Sequence, residues 1–218
     1  MAGAVWMIIY DLERTQADEY LRWFDEVHIP EKLARPGYTW AAHYQVTADD
    51  NAADSTYVAL FGGTDSRVFY NPSPAQIKPS QPPETRRMMA CRANSKMLIL
   101  AEEWSWDGAA GAPANSSNIV AERVQLALFD ANDNDENLGA WLVQDYLENP
   151  ARAGVTRKYL SSTGAVRHVL LHELAPAEDP PDAFVAGAAN DWSARVSGYL
   201  SYPAGLPCLA RRVWPAAD

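Results

Sequence analysis

The stretch DEYLRWFDEVHIPEKLARPGYT, residues 18–39, recurs 117 positions later as DENLGAWLVQDYLENPARAGVT, residues 135–156. The two segments align without a gap and share eight identical residues over 22 positions, well above chance. The identical pairs are Asp18/Asp135, Glu19/Glu136, Leu21/Leu138, Glu31/Glu148, Ala34/Ala151, Arg35/Arg152, Gly37/Gly154 and Thr39/Thr156. Self-similarity at one fixed offset predicts two copies of one structural unit. The alternative is a chance match between two unrelated α+β halves.

Runs rich in β-branched and aromatic residues surround each copy and predict strands. The predicted strands lie near residues 4–12, 38–47, 56–62 and 97–106 in the first half, and 120–130, 155–162, 166–174 and 207–214 in the second. Helices are predicted near residues 16–35, 134–152 and 181–199. The first of these has Thr15 as its N-cap and ends before Pro36. The resulting order, strand, helix, strand, strand, helix, strand, is typical of the ferredoxin-like split unit.

The predicted fold class is therefore α+β, with two tandem ferredoxin-like units whose antiparallel sheets face each other within one chain. A single sheet with helices on one face leaves its other face apolar, and a second copy covers that face. The predicted domains are residues 1–107 and 118–218. A Gly- and Pro-rich segment, residues 108–117, is predicted to be the linker between them.

Composition narrows the class of partner. The 218 residues include 18 Lys and Arg against 28 Asp and Glu, a net charge of −10. This balance disfavours nucleic acid and anionic membrane surfaces, both of which attract basic proteins. The two cysteines, Cys91 and Cys208, form no disulfide framework or CxxC motif. The N-terminus is interpreted as a strand rather than a signal peptide, so we expect a cytoplasmic protein with a small-molecule substrate. The two-copy chain could also form a homodimer, which the sequence alone does not decide.

His28 is the leading candidate for a catalytic residue. Leu21, Phe24 and His28 fall on one helical stripe that is expected to face the sheet. Pro30 has no N–H and breaks or kinks the helix just after His28. A helix end favours the imidazolium whereas burial disfavours it, which predicts titration near neutrality and suits a general acid or base. The alternative is a structural histidine that bonds a carbonyl freed at the kink.

Two further groups of residues are candidates for the same site. His43 and Tyr44 are neighbours on the second predicted strand and point to opposite faces, so one of them is expected to assist His28. The predicted substrate-binding residues are cations that would hold an anion and aromatic residues that would line an apolar pocket. They are Arg35, Lys78, Arg87, Trp40 and Tyr57. For the cations, solvated surface charge is the alternative.

A proline-rich segment interrupts the first half only. Residues 71–84 contain five prolines, which predicts a loop without a helix or a central strand. Long loops inside compact units are commonly lids, binding loops or partner contacts. We expect this segment to run over the mouth of a first-half pocket, with a surface excursion as the alternative.

The string Trp23…Val27-His28-Ile29-Pro30…Leu33…Pro36-Gly37 resembles the EthD-like branch of the dimeric α+β-barrel superfamily. The sequence motif matches over roughly residues 4–47, and the rest of the chain resembles the family only in the order of its strands and helices. It implies a ferredoxin-like fold with a small-molecule pocket between helices and sheet, and it places the family histidine at His28. The second copy departs from the motif, because Asp145 and Leu147 stand where the first copy has His28 and Pro30.

These observations favour a cofactor-independent enzyme that acts by acid–base chemistry on a small hydrophobic, oxygenated or carboxylated molecule. Isomerase or lyase chemistry ranks first, because it needs only a proton shuttle, and monooxygenation or hydrolysis ranks next. A non-catalytic ligand-binding or scaffold protein is the main alternative, and a haem-binding relative is a distant third. No metal is expected, because His168 and His172 are about 13 Å apart along a strand.

Overall fold

The computed structural model describes residues 3–47, 54–116, 118–148, 153–176, 178 and 190–216. The chain has a mixed α+β fold and divides into two compact units. The first unit comprises Met1–Ala101, Ser162–Gly164 and Arg211–Asp218, and the second comprises Glu102–Ser161 and Ala165–Ala210. The duplication, the facing sheets and the boundaries at 107 and 118 stay predictions.

The first unit contains an antiparallel sheet whose strands agree closely with the predicted runs. The strands are β1 (Ala4–Glu13), β2 (Tyr38–Val46), β3 (Asp54–Gly63) and β4 (Ala93–Asp107), of which β4 belongs to this unit up to Ala101. β1 pairs with both β3 and β4, and β2 pairs with the other edge of β3. Side chains alternate between the two faces of each strand, so every second residue faces the helices.

The predicted first helix consists of three consecutive segments. They are α1 (Arg14–Trp23), a π-helical turn (Phe24–His28) and α2 (Ile29–Leu33). The N–H of Ile29 donates to the carbonyl of Phe24, one residue further back than in an α-helix. The helix thus continues past Pro30 instead of ending there. The prediction of Thr15 as the N-cap is wrong, because the cap is Glu13, whose side chain makes no capping hydrogen bond.

The proline-rich segment contains helices, which contradicts the prediction of a loop without them. They are α3 (Pro74–Ile77), the 3₁₀ turn Lys78–Ser80 and the start of α4 (Pro83–Met89). Another 3₁₀ turn, Ser66–Phe69, precedes the segment. Prolines occupy first-turn positions, where a missing N–H breaks no helical hydrogen bond. Ser73 and Gln76 form a reciprocal capping box at the start of α3. The role of this segment as a lid stays a prediction.

The second unit is also built from antiparallel strands and helices. Its strands are β5 (Ala112–Pro113), β6 (Arg123–Phe129), β7 (Val155–Ser161), β8 (His168–Glu173) and the first residues of β9 (Cys208–Trp214). β8 pairs with β6 and β7. The helices are α5 (Asp135–Trp141), a second π-helical turn (Leu142–Tyr146) and α6 (Asp191–Tyr199). Within the predicted linker, β5 pairs with the end of β4.

Parts of two predicted helices, residues 149–152 and 181–189, lie outside the described residues. None of the described helices has the length and apolar character that crossing a bilayer requires.

Each unit has its own hydrophobic core, and the core of the first unit is unusually aromatic. Its buried rings belong to Trp6, Tyr10, Tyr20, Trp23, Phe24, Tyr57, Phe61 and Phe69. The second core is more aliphatic and centres on Leu138, Leu142, Leu170 and Val196 with Phe129, Trp141 and Tyr146. Four of these rings, those of Trp6, Tyr10, Tyr20 and Trp23, lie on β1 or α1 and bring hydroxyl and indole N–H groups into an apolar layer.

Candidate functional site

Two side chains from β1 and β2, the strands on either side of β3, meet in the aromatic core of the first unit. Tyr10 of β1 and His43 of β2 are both fully buried. The alternation of each strand turns both residues toward the helices. The Tyr10 hydroxyl lies 2.8 Å from Nε2 of His43, and the two rings stack with centroids 6.1 Å apart. A phenol and an imidazole in this contact can exchange a proton.

The first π-helical turn places a carboxylate on the other side of His43. Oδ1 of Asp25 lies 3.6 Å from Nδ1 of His43. The Asp25 side chain is 25% exposed, whereas that of His43 is 0% exposed, so the carboxylate is the solvent-accessible end of the pair. When the Tyr10 hydroxyl donates to Nε2, the imidazole proton resides on Nδ1 and faces Asp25. π-Helical turns are frequent at functional sites.

A guanidinium stands at the opposite end of this arrangement. Nε of Arg92 donates to the hydroxyl of Tyr20, and the hydroxyls of Tyr20 and Tyr10 are hydrogen-bonded to each other. The Arg92 guanidinium also lies 4.3 Å from the Tyr10 ring centroid. Together these contacts form a buried series, which we call the proton relay: Arg92, Tyr20, Tyr10, His43 and Asp25.

The environment keeps the middle of the relay uncharged. Burial raises the pKa of Tyr10 well above its ordinary value and also raises that of Tyr20, so both phenols stay protonated at neutral pH. Burial lowers the pKa of His43, although the Asp25 carboxylate opposes that shift. The relay therefore consists of neutral donors and acceptors between a cation and a carboxylate, an arrangement that can pass protons without holding charge in the apolar layer.

His28 lies inside the same layer but does not titrate as predicted. It is 2% exposed and packs between the rings of Trp23 and Phe24, with centroid distances of 4.8 Å and 5.2 Å. Burial lowers its pKa to about 2, and the charges of Lys32 and Arg92 add to that effect. The predicted titration near neutrality is wrong, because the helix continues into α2 and supplies no terminal carbonyls to stabilise an imidazolium.

The clearest mark of this region is a set of buried polar atoms without a protein partner. Buried polar groups in folded proteins nearly always have a hydrogen-bond partner. Five buried polar atoms on residues around the Phe24 ring make no hydrogen bond to the described residues, although two of them, on Asp25 and His43, face each other at 3.6 Å. They are Nε1 of Trp23, Oδ1 of Asp25, Nδ1 of His28, Nδ1 of His43 and Nη2 of Arg92. We take this group of atoms as the candidate binding site.

The predicted aromatic and hydroxyl residues divide between the two faces of the sheet. Tyr57 joins the relay side, with its ring centroid 5.4 Å from that of His43. Tyr44 and Trp40 are buried, but they point to the opposite face of β2 from His43. The structure therefore brings His28, His43 and Tyr57 together and separates Tyr44 and Trp40 from them.

The predicted cations also separate. Arg35 is partly buried, hydrogen-bonds Tyr38 and lies close enough to His28 to influence its pKa. Arg87 is exposed and donates to Glu19 at 2.8 Å. Lys78 is exposed in the 3₁₀ turn that follows α3. Only Arg35 of these three is in the vicinity of the buried site.

Sequence reasoning missed the two charged ends of the relay and its tyrosines. Asp25 stands inside the string that carries the EthD resemblance, and Arg92 directly precedes β4. A local signal existed for Tyr20, because it falls four residues before Phe24 on the inward stripe. No sequence pattern links Arg92 to Tyr20, which is 72 positions away.

The histidines of the second unit form hydrogen bonds with other residues of that unit. His168 and His172 lie on β8, and both are buried. Their partners are Asp135 and Lys158 for His168, and Thr156 and Glu178 for His172. The contacts of His172 measure 2.8 Å to Thr156 and 2.6 Å to Glu178. Both ring nitrogens of each imidazole have a partner, which distinguishes these residues from His28, whose Nδ1 makes no hydrogen bond to the described residues.

Comparison with known proteins identifies the fold. No family model matches the sequence, and no curated protein matches it significantly. Among solved structures, the chain is similar to an anthrone oxidase-like protein, with a TM-score of 0.62, 10% identity and coverage of 97% of this chain and 91% of that one. It is also similar to a candidate monooxygenase of Fusobacterium nucleatum, with a TM-score of 0.53, 7% identity and the same coverages.

A third similar structure is a candidate chlorite dismutase, with a TM-score of 0.52, 14% identity and coverage of 98% and 95%. At these identities the likeness establishes the fold alone. The chain thus shares its mixed α+β fold with these proteins.

Proposed function

We propose that the protein is an enzyme acting on a small molecule, and that its first step is proton removal from an acidic C–H or O–H group. Asp25 takes the proton, and the buried His43 contacts the Asp25 carboxylate. The observation that carries the proposal is the proton relay, which ends in a partly exposed carboxylate beside several buried, unpartnered polar atoms. A purely structural network would be expected to satisfy its own polar atoms.

The roles are assigned by position. Asp25 is more exposed than His43, so it is the member of the pair that a bound molecule can reach, and it takes the proton. Nδ1 of His43 faces that carboxylate, and Nε2 of His43 is hydrogen-bonded to the Tyr10 hydroxyl. Tyr10 stays protonated and serves as the reserve donor. A positioned acid–base group contributes about 10²–10⁴-fold in rate.

The fate of the carbanion or oxyanion left after proton removal defines the reaction class. An isomerase returns the proton to another carbon, and a lyase expels a leaving group from the carbanion. An oxidase lets dioxygen take the electrons, which in the case of an anthrone yields an anthraquinone and water. The names of two of the similar structures favour the oxidative outcome. The isomerase or lyase outcome, favoured by the sequence, belongs to the same proposal.

Ancestry is part of this proposal. The segment around His28 and Pro30 supports a relation to the EthD-like branch. Both units carry a π-helical turn on their first helix, Phe24–His28 and Leu142–Tyr146, and the first residues of these turns are 118 positions apart. That offset differs by one from the sequence repeat and supports a duplication.

The test uses anthrone in air as the probe, with product absorbance and oxygen uptake as readouts. We expect the wild type to accelerate its conversion, and Asp25→Asn to lose about 10²–10⁴-fold of that rate. Asp65→Asn is the matched control, because Asp65 is a carboxylate of the same unit that pairs with the exposed Arg67. A wild type that binds anthrone without converting it or exchanging its acidic proton would leave a non-catalytic binding protein.

A further inference from the structure

The five buried polar atoms around the Phe24 ring differ in hydrogen-bonding character. Nε1 of Trp23 and Nη2 of Arg92 are donors only, and a neutral His28 can donate through Nδ1. The remaining two, on Asp25 and His43, face each other at 3.6 Å. Around the Phe24 ring, apart from the Asp25–His43 pair, the three buried atoms without a hydrogen-bond partner among the described residues are therefore suited to binding a hydrogen-bond acceptor.

The charges around His28 also favour a ligand that carries a negative charge. The charged groups whose fields bear on it are Lys32, Arg92 and Arg35, all of them cations. Lys32 is only 5% exposed, and its ammonium lies 5.1 Å from the Trp6 ring centroid. Lys32 is buried, and Arg35 and Arg92 are partly buried. Cations held at an apolar layer in this way are costly unless an anion accompanies them.

Flat aromatic surfaces enclose the donors. The Trp23 and His28 rings are 4.8 Å apart, the Phe24 ring is 5.2 Å from His28, and the Arg92 guanidinium is 5.3 Å from the Phe24 centroid. Such surfaces favour a planar ring as the body of the bound molecule. Donors and cations set among rings are complementary to an oxygen anion attached to an aromatic system.

We propose that Trp23, His28 and Arg92 form an oxyanion-binding subsite, and that the molecule held beside Asp25 and His43 is an aromatic carboxylate or phenolate. The subsite rests on the proposed function and deepens it, because it fixes the charge class of the substrate and its orientation relative to Asp25. As a binding site it can be measured without any turnover.

Calorimetric titration with matched anionic and neutral probes tests the subsite. The pairs are 1-naphthoate with 1-naphthamide, and dinitrophenolate with its methyl ether, so the two arms separate carboxylate from phenolate recognition. We expect at least one anion to bind ten or more times as tightly as its neutral partner, since hydrogen bonds to charged groups typically change affinity by about 10- to 100-fold.

Variants assign the effect to residues. Arg92→Gln should weaken binding of the preferred anion by about 10- to 100-fold and leave the neutral partner nearly unaffected. Arg22→Gln, which removes an exposed arginine from α1, is the matched control. Trp23→Phe keeps an aromatic ring but removes the N–H, so it should cost the anion roughly 2- to 10-fold even if Arg92→Gln fails to fold.

The outcomes separate this inference from the catalytic proposal. Asp25→Asn should abolish turnover yet leave naphthoate binding unchanged or tighter, because it removes a nearby negative charge. Anion preference without turnover in the wild type would end the catalytic proposal and keep the subsite. Equal affinity for anions and neutral partners, no binding of any anion, or equal losses for both probes in Arg92→Gln would overturn the subsite.

Discussion

The Tyr10 hydroxyl is the central link of the proton relay, and Tyr10→Phe removes it while keeping the ring. In the wild type this hydroxyl contacts Nε2 of His43 at 2.8 Å and is hydrogen-bonded to Tyr20. The substitution leaves two fully buried polar atoms without that partner. Each buried group left unsatisfied costs about 1–3 kcal/mol, so we expect the free energy of unfolding to fall by about 2–4 kcal/mol.

Urea unfolding followed by tryptophan fluorescence measures the loss. Tyr70→Phe is the matched control, because the Tyr70 hydroxyl contacts Ser162 at 2.9 Å in an exposed position. Its removal is expected to cost less than about 0.5 kcal/mol. A Tyr10→Phe cost no larger than that of Tyr70→Phe would refute the relay, because the buried hydroxyl would then be making no significant hydrogen bonds.

Three further predictions concern stability. The pKa of His28 is lower in the folded protein than its ordinary 6.5, so the unfolded chain binds the extra proton and stability falls as pH drops below about 6.5. His28→Gln should flatten the pH dependence of urea unfolding between pH 6 and pH 4 by up to about 1.4 kcal/mol per pH unit, and an unchanged slope would contradict the burial of a neutral imidazole. Gly62→Ala should destabilise the first unit by about 1–3 kcal/mol or more, because its Cβ would lie 1.9 Å from Nε1 of Trp40. Gly139→Ala meets nothing within 4 Å and should stabilise α5 by about 0.5–1 kcal/mol in thermal melts; equal effects at both glycines would be inconsistent with this packing.

The strands of the first unit were predictable because period-2 alternation and β-branched or aromatic content reinforce each other along them. The predicted strand at residues 4–12 corresponds to β1 (Ala4–Glu13), and the one at 38–47 corresponds to β2 (Tyr38–Val46). Burial drives both signals, since the buried face must be apolar and the pleat turns alternate residues toward it.

The helices near proline were harder to predict. Proline disfavours a helix interior but is well suited to a first turn, and the two cases differ only by the cap that precedes the proline. Ser73 and Gln76 form such a cap signal before α3, but the number of prolines in the segment favours a loop. At Pro30 the helix continues after the π-helical turn Phe24–His28, whereas the missing N–H of proline predicts a break or a kink.

The candidate site was predictable only in part, because its chemistry depends on contacts that are distant in sequence. The inward stripe placed His28 correctly in the apolar layer, but its pKa depends on how completely that layer excludes water. Asp25 and His43 are brought together across the interface of helix and sheet, and Arg92 reaches Tyr20 from the start of β4. Pairings of this kind come from the tertiary fold and leave no periodic signal.

Deuterium exchange into the acidic C–H of anthrone, followed by NMR in D₂O under nitrogen, tests the central claim most directly. It detects the proton step itself, whichever product forms afterwards. The wild type is predicted to accelerate the exchange over buffer, and Asp25→Asn is predicted to lose about 10²–10⁴-fold of that acceleration while Asp65→Asn retains it. Exchange at the buffer rate in the wild type, or at the same rate in the wild type and Asp25→Asn, would contradict proton transfer by Asp25 and His43.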